Sequence, residues 1–449
     1  MYNVKDYGAL GDGKSLDSGA IQRAIDACAE AGGGTVYIPE GSYVCGTMHI
    51  KSNVCVHLDL GATIYGSTNP NDFDPYEVPT NNLYQDRSHS FFHHSLFHAD
   101  GETHIALTGL GTIDMQSVWE VKSWFVPEIG REDEWCRACK IVALKNCKDV
   151  TIRDLTMKNA TDLAVYFAGC EQVLVTGLKM RVHIDGISPD SCRDVVISDC
   201  IIEAGDDGIV MKSSYTLGKF RPMENLVISN CVVSSFCSGI KFGTESNTGF
   251  INITVTGCVI YNTRLSALAL EAVDGAVIDG ISISNISMRN VGNPLLITVQ
   301  NRGRGPEGTP LGQIKNVSLS NITVVEPVEP FVVMAQNAAM YAKGETTVTP
   351  HYYPFLVMGD PKSPIRNVSL SNIQVMSPGG GTEEMRNIEV PEVHYGYPEC
   401  NRFGNEHPAH GMIARDVDNL KLYNVDFYTE APDARDPIAL IRVTRFKEV

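Results

Sequence analysis

One short alternation of apolar and polar residues recurs along this chain. A polar residue is followed by apolar-x-apolar, then a polar or small pair, then an apolar residue or Cys. The pattern reads NVCVHLD from Asn53, HIALTGL from His104, DVTIRDL from Asp149, QVLVTGL from Gln172 and DVVISDC from Asp194. It continues as NLVISNC from Asn225, NITVTGC from Asn252, GISISNI from Gly280, NVSLSNI from Asn316 and again from Asn367, and NLKLYNV from Asn419. Period two makes each copy a short β-strand. Separations of 23, 22, 31, 27 and 28 residues from Asp149 to Gly280 leave room for two further strands and turns per copy, and no helical crossover. Strands recurring in this way predict a parallel β-helix, in which each coil stacks on the last. A sandwich or propeller fits less well, because no Asn-Gly or Asp-Gly hairpin marks each repeat. Asn and Asp fall at expected corners, where they tolerate left-handed backbone.

The clearest helical spacing is SLDSGAIQRAIDACAEAGG, with Ile21, Ala24, Ile25 and Cys28 on one face and glycines at the end. It is expected to cap the first coil and hide a pairing edge. The chain thus reads as one all-β domain over 1–449: a cap and first coil in 1–50, then stacked coils in 51–449. The rhythm breaks near 68–100, 115–138, 326–364 and 376–411, so long loops are expected near 68–138 and 326–411. Loops on a rigid scaffold are common places for a binding site.

Composition narrows the class. With 43% hydrophobic and 20% charged residues, 449 residues suffice to bury a large core. A formal charge of −17 argues against nucleic acid and gives no long-range pull on a polyanion. No apolar run of membrane-spanning length is present, so no membrane partner is expected. The first residues carry no basic start with an apolar stretch, so a cytoplasmic location is expected unless a signal preceded this numbering. Thirteen cysteines without a CxxC pair read as small buried packing residues rather than a disulfide framework or zinc site.

Candidate chemistry sits in VHIDGISPDSC and EAGDDGIVMKSS, where DGIS begins at Asp185 and DGIV at Asp207, 22 positions apart, with Asp206 alongside. Aligned coils give a column of Asp162, Asp185, Asp207, Ser238 and Ser266. Stacked positions lie about 4.8 Å apart, so the three acids Asp185, Asp206 and Asp207 are expected to be neighbours. Like charges raise one another's pKa, a cost that a purely structural corner avoids. Asp162 reads as a corner acid bonding its own backbone. Clustered carboxylates also suit Ca²⁺.

These motifs, with the N-terminal YNVKDYGALGDGKSLDSGAIQRAIDAC and GGGTVYIPEGSY, resemble the polygalacturonase family of glycoside hydrolases (family 28), in the pectin-degrading β-helix superfamily. The resemblance implies a right-handed parallel β-helix and inverting hydrolysis without metal or cofactor. It makes Asp206 the general acid, while Asp185 and Asp207 hold and activate water. The family's Gly-His-Gly falls at Cys237-Ser238-Gly239, and its carboxylate-gripping Arg-Ile-Lys at Leu268-Ala269-Leu270, so those side chains are absent. His183 stands where the family has Asn. Lys241, Glu271, His183 and Arg302 are the candidate substrate-binding residues. Each also has a plainer reading: a surface lysine, a partner for that lysine, a structural histidine and a loop charge.

The expected function is exo-acting hydrolysis of a pectic or related oligosaccharide containing uronic acid or rhamnose. Two alternatives remain open at this point: a lyase using Ca²⁺ with Lys241 as base, and a non-catalytic glycan-binding β-helix.

Overall fold

A computed structural model describes residues 1–75, 92, 94–117, 139–325, 328–334 and 345–449. They fall into two compact units: Met1–Ala204 with Thr216–Lys219, and Gly205–Tyr215 with Phe220–Val449.

In the first unit the strands form parallel ladders. One buried column runs Val36, Val56, Leu107, Ile152, Val175 and Ile197, each paired in register with the next. The second unit repeats the design with Ile228, Val255, Ile283, Leu319, Leu370 and Leu422. Both units are therefore parallel β-solenoids. All eleven copies of the phrase form strands, as period two requires.

Every phrase also opens on a residue with left-handed backbone, from Asn53 (φ 63°) through Asn225 (φ 56°) and Gly280 (φ 71°) to Asn419 (φ 67°). That conformation costs an ordinary L-residue about 1–2 kcal/mol and Asn or Asp less. Corner asparagines also bond side chains of the preceding coil: Asn316 Nδ2 donates to Asp279, Asn367 Nδ2 to Asn316 (2.9 Å) and Asn419 Nδ2 to Asn367 (2.8 Å). The described cysteines are free thiols, and all but Cys55 are buried. Several donate to a carbonyl two residues back, as Cys231 does to Ser229 (3.3 Å) and Cys258 to Thr256 (3.4 Å).

The helix Ser18–Glu30 buries Ile21, Ala24, Ile25 and Cys28 against the strands Gly34–Ile38 and Met48–His49. Gln22 fixes it to the sheet edge, donating to the His49 carbonyl (3.1 Å) and accepting from the His49 amide (2.7 Å). No described helix is long and apolar enough to cross a membrane.

Two expectations need correction. Segments 95–100 and 355–358, read as loop, are the strands Ser95–Asp100 and Phe355–Met358. Their sequences SLFHAD and FLVM lack alternation because they are buried on both faces. Secondly, Asp162 does not share the register of Asp185. Val165 pairs with Ile187, which sets Leu163 opposite Asp185 and leaves Asp162 one residue out. The expected loops over 76–91, 118–138, 326–327 and 335–344 lie outside the described residues.

Candidate active site

In the second unit, the strand Ile209–Ser213 pairs in parallel with Ile240–Ser246, setting Val210 beside Lys241. Lys241 is followed on the next coil by Ala269. The expected column of Asp207, Ser238 and Ser266 follows from these registers, and Ser266 pairs onward with Asn293. Asp207 is buried at this corner and binds the next coil twice. Its Oδ1 accepts the Ser238 amide (2.9 Å), and its Oδ2 meets Lys241 Nζ at 3.1 Å. Asp206 is half-buried, and its carbonyl accepts the Cys237 amide (3.1 Å), which fixes the backbone from which its side chain leaves.

Lys241 is only 4% exposed, which is not the surface lysine of the plainer reading. Burial works against its charge, but Asp207 and then Glu271 outweigh that and hold its pKa well above the usual value. Glu271 is 2% exposed. Burial pushes its carboxyl up to about 8, with Lys241 pulling down and Asp207 pushing further up. Lys241 Nζ lies 3.9 Å from Glu271 Oε2, beyond hydrogen-bond length, and that oxygen has no hydrogen-bond partner. A buried acceptor left open beside an ammonium is costly unless a ligand fills it.

Asp206, Lys241 and Glu271 line one small cavity, with Tyr397, Glu399 and Cys400 from the loop between residues 376 and 411. Tyr397 is held by a hydrogen bond from Thr244 Oγ1 (3.0 Å), and Lys241 Nζ stands 5.4 Å from its ring centre. Tyr397 and Glu399 were not identified from sequence; the only signal was a loop rich in Tyr and Pro that breaks the strand rhythm.

The segment Leu268-Ala269-Leu270 now has a physical account. Ala269, with Leu296, Leu356 and Ile413, belongs to an apolar layer that also contains Phe331, Tyr353, Cys400 and Phe403 from the loops. An apolar seat for loops stands where the resemblance would place a carboxylate grip. Arg302 has its guanidinium on Asp274 (2.6 and 3.0 Å) and Glu245 (2.9 Å), and Glu245 also takes Lys212 (3.0 Å). Those are charge-assisted, fully buried contacts.

In the first unit, His183 and Asp185 are both buried. His183 Nε2 meets Ser117 Oγ at 2.7 Å. Asp185 Oδ2 receives Ser188 Oγ at a long 3.4 Å, and its carbonyl accepts the Ala164 amide (2.9 Å). Asp162 bonds the neighbouring Leu163 amide (2.8 Å), as a corner acid should, and also forms a buried ion pair with Lys140 (3.1 Å).

The profile of glycosyl hydrolases family 28 matches residues 28–393. A probable polygalacturonase of Vitis vinifera is 26% identical over 276 residues, which is 58% of this chain and 55% of that one. The exo-poly-alpha-D-galacturonosidase of Dickeya chrysanthemi is 22% identical over 317 residues, 61% and 52% of the two chains. The chain thus spans about half the length of the curated relatives it matches. Among solved structures, the family 28 exopolygalacturonase of Yersinia enterocolitica superposes with a TM-score of 0.73 at 19% identity, covering 99% of this chain and 78% of that one.

Proposed function

The chain belongs to glycosyl hydrolases family 28, and on that premise we propose that it hydrolyses a glycosidic bond of a pectic or related oligosaccharide, from a chain end and with inversion. The observation that carries this reading is the pairing of two adjacent acids in different settings. Asp206 faces the cavity, while Asp207 is fixed by Lys241 and the Ser238 amide.

In the proposed reaction, Asp206 gives its proton to the glycosidic oxygen as the bond from that oxygen to the anomeric carbon breaks. Water attacks the same carbon from the opposite face, and its proton passes to Asp207. Asp185, 22 positions earlier in the repeated phrase, is proposed to share in holding that water. An inverting pair needs room for the water between acid and base.

Lys241 is unsuited to the competing role of lyase base. Removing a proton requires the neutral amine, and its acidic neighbours favour the ammonium. It serves better as counter-charge and as an N–H donor to a sugar hydroxyl oxygen.

The same charges bear on the sugar. Three carboxyl groups, Asp206, Glu271 and Glu399, line the cavity against the single ammonium of Lys241, which Asp207 already engages. A uronate carboxylate entering there finds no counter-charge that Asp207 has not already engaged, so we assign the reacting terminal sugar as neutral, for instance a rhamnose-type unit on a uronic-acid-containing oligosaccharide. The exo reading rests on Tyr397 and Glu399, loop residues that line the cavity and are proposed to stop a chain from running through it.

NMR of the first-formed sugar tests the reaction. Inverted configuration is expected, and a retained anomer or an unsaturated product would overturn the proposal.

A further inference from the structure

A second cavity, of about 440 Å³, lies in the second unit away from these acids. Its walls come from the segments before Phe355 and Ala409, the glycines after Pro378, and Arg435. Counting along the paired strands, the corner column Asp207, Ser238, Ser266 and Asn293 continues to Tyr353 and then His410. Five strand steps of about 4.8 Å place this cavity roughly 24 Å along the coils from Asp207. The apolar layer containing Phe331, Tyr353 and Phe403 covers the sheet between them.

Two histidines of this cavity hold buried nitrogens without hydrogen-bond partners. His407 is 2% exposed, and neither ring nitrogen has a hydrogen-bond partner. His410 is 7% exposed, and its Nδ1 is also without one. Buried polar atoms are seldom left unsatisfied, so three in one cavity call for a ligand.

The chemistry around them selects its class. Burial first, then His351 and Arg435, bring the His407 pKa down to about 4, so its ring is neutral near neutrality and offers one N–H donor and one acceptor. The Arg435 fork is spent on Asp433 (2.7 and 2.9 Å), leaving no open cation for a carboxylate or phosphate. Among the described residues, the histidines form no group close enough to share a metal ion. The walls otherwise offer Pro350, Pro354 and Met385 as apolar surface. Paired donor and acceptor atoms beside apolar faces match a hydroxylated ring, whose hydroxyl groups both give and take hydrogen bonds. The volume is within the range of small-ligand sites.

We propose that this cavity is a second carbohydrate site that binds a neutral sugar unit through His407 and His410, separate from the bond-cleaving cavity.

Saturation-transfer NMR on the full chain with D-galactose, L-rhamnose and L-arabinose tests it. At least one sugar should bind, and its affinity should fall tenfold or more in both His407→Gln and Met385→Trp. Met385→Trp fills part of the cavity from its wall without replacing a buried polar side chain, so it decides the matter if His407→Gln lowers the melting temperature. Turnover of a short substrate should be unchanged in Met385→Trp. Binding that survives both substitutions, absence of binding by all three sugars, or binding of inorganic phosphate instead would overturn the proposal.

Discussion

Glu271 holds a proton more tightly in the folded chain, with a pKa of about 8, than at its ordinary 4.5. Unfolding then releases that proton between the two values, so its contribution to stability is complete below pH 4.5 and is lost as pH rises through 8. Glu271→Gln, which cannot ionise, should therefore raise the melting temperature more at pH 8 than at pH 5, as calorimetry would read directly. Lys241→Met should act in the other direction. It leaves Asp207 buried without its counter-charge, at a cost of about 3–5 kcal/mol in urea unfolding. Combining it with Asp207→Asn should recover part of that loss. In kinetics, Asp206→Asn should lower kcat by about 10²–10⁴-fold with little change in substrate binding, the scale of general-acid loss. The acids stand out in the sequence because one phrase is repeated at Asp185 and Asp207. Tyr397 does not, since the bond that holds it comes from Thr244, 153 residues away, and no local pattern encodes such a contact.

At the scale of elements, the corners explain why the phrase could be read at all. Each copy opens on a left-handed residue, and Asn and Asp are the side chains that accept this backbone at least cost. Asn367 combines that role with two rungs of a ladder, donating to Asn316 and accepting from Asn419. Asn367→Ala should cost about 2 kcal/mol, adding the strained backbone to the lost hydrogen bonds. Asn367→Gly keeps the backbone relaxed and should cost only about half as much, so denaturation of the pair separates the two contributions. The readings that failed were those where alternation is absent or a turn changes length. Phe355–Met358 is covered on both faces and so looks like no particular element. Asp162 fell one residue out because the register is set by the pairing of Val165 with Ile187, which the resemblance of two short phrases does not determine.

For the molecule as a whole, charge and covering loops act on the same choice of substrate. A net charge of −17 gives a polyuronate no long-range attraction, and the ammonium lining the cavity, Lys241, is already engaged by Asp207. Release of a neutral terminal sugar should exceed release of galacturonic acid from unsubstituted polygalacturonate by at least about tenfold in kcat/KM, or 1.4 kcal/mol. Product analysis on paired substrates checks this. The reverse preference would show that the cavity tolerates a uronate despite its acids.

The pairing of Val317 with Val368 continues the same column as that of Ile281 with Val317, although the first spans 51 residues of chain and the second 36. Pitch is thus indifferent to what hangs between two rungs. Such a scaffold separates inheritance of shape from inheritance of taste: whole loops become exchangeable cassettes. Residues 378–408, which supply Tyr397 and Glu399 to one cavity and His407 to the other, form one such cassette. A single transplant there would change the lining of both cavities at once, while the coils beneath kept their spacing.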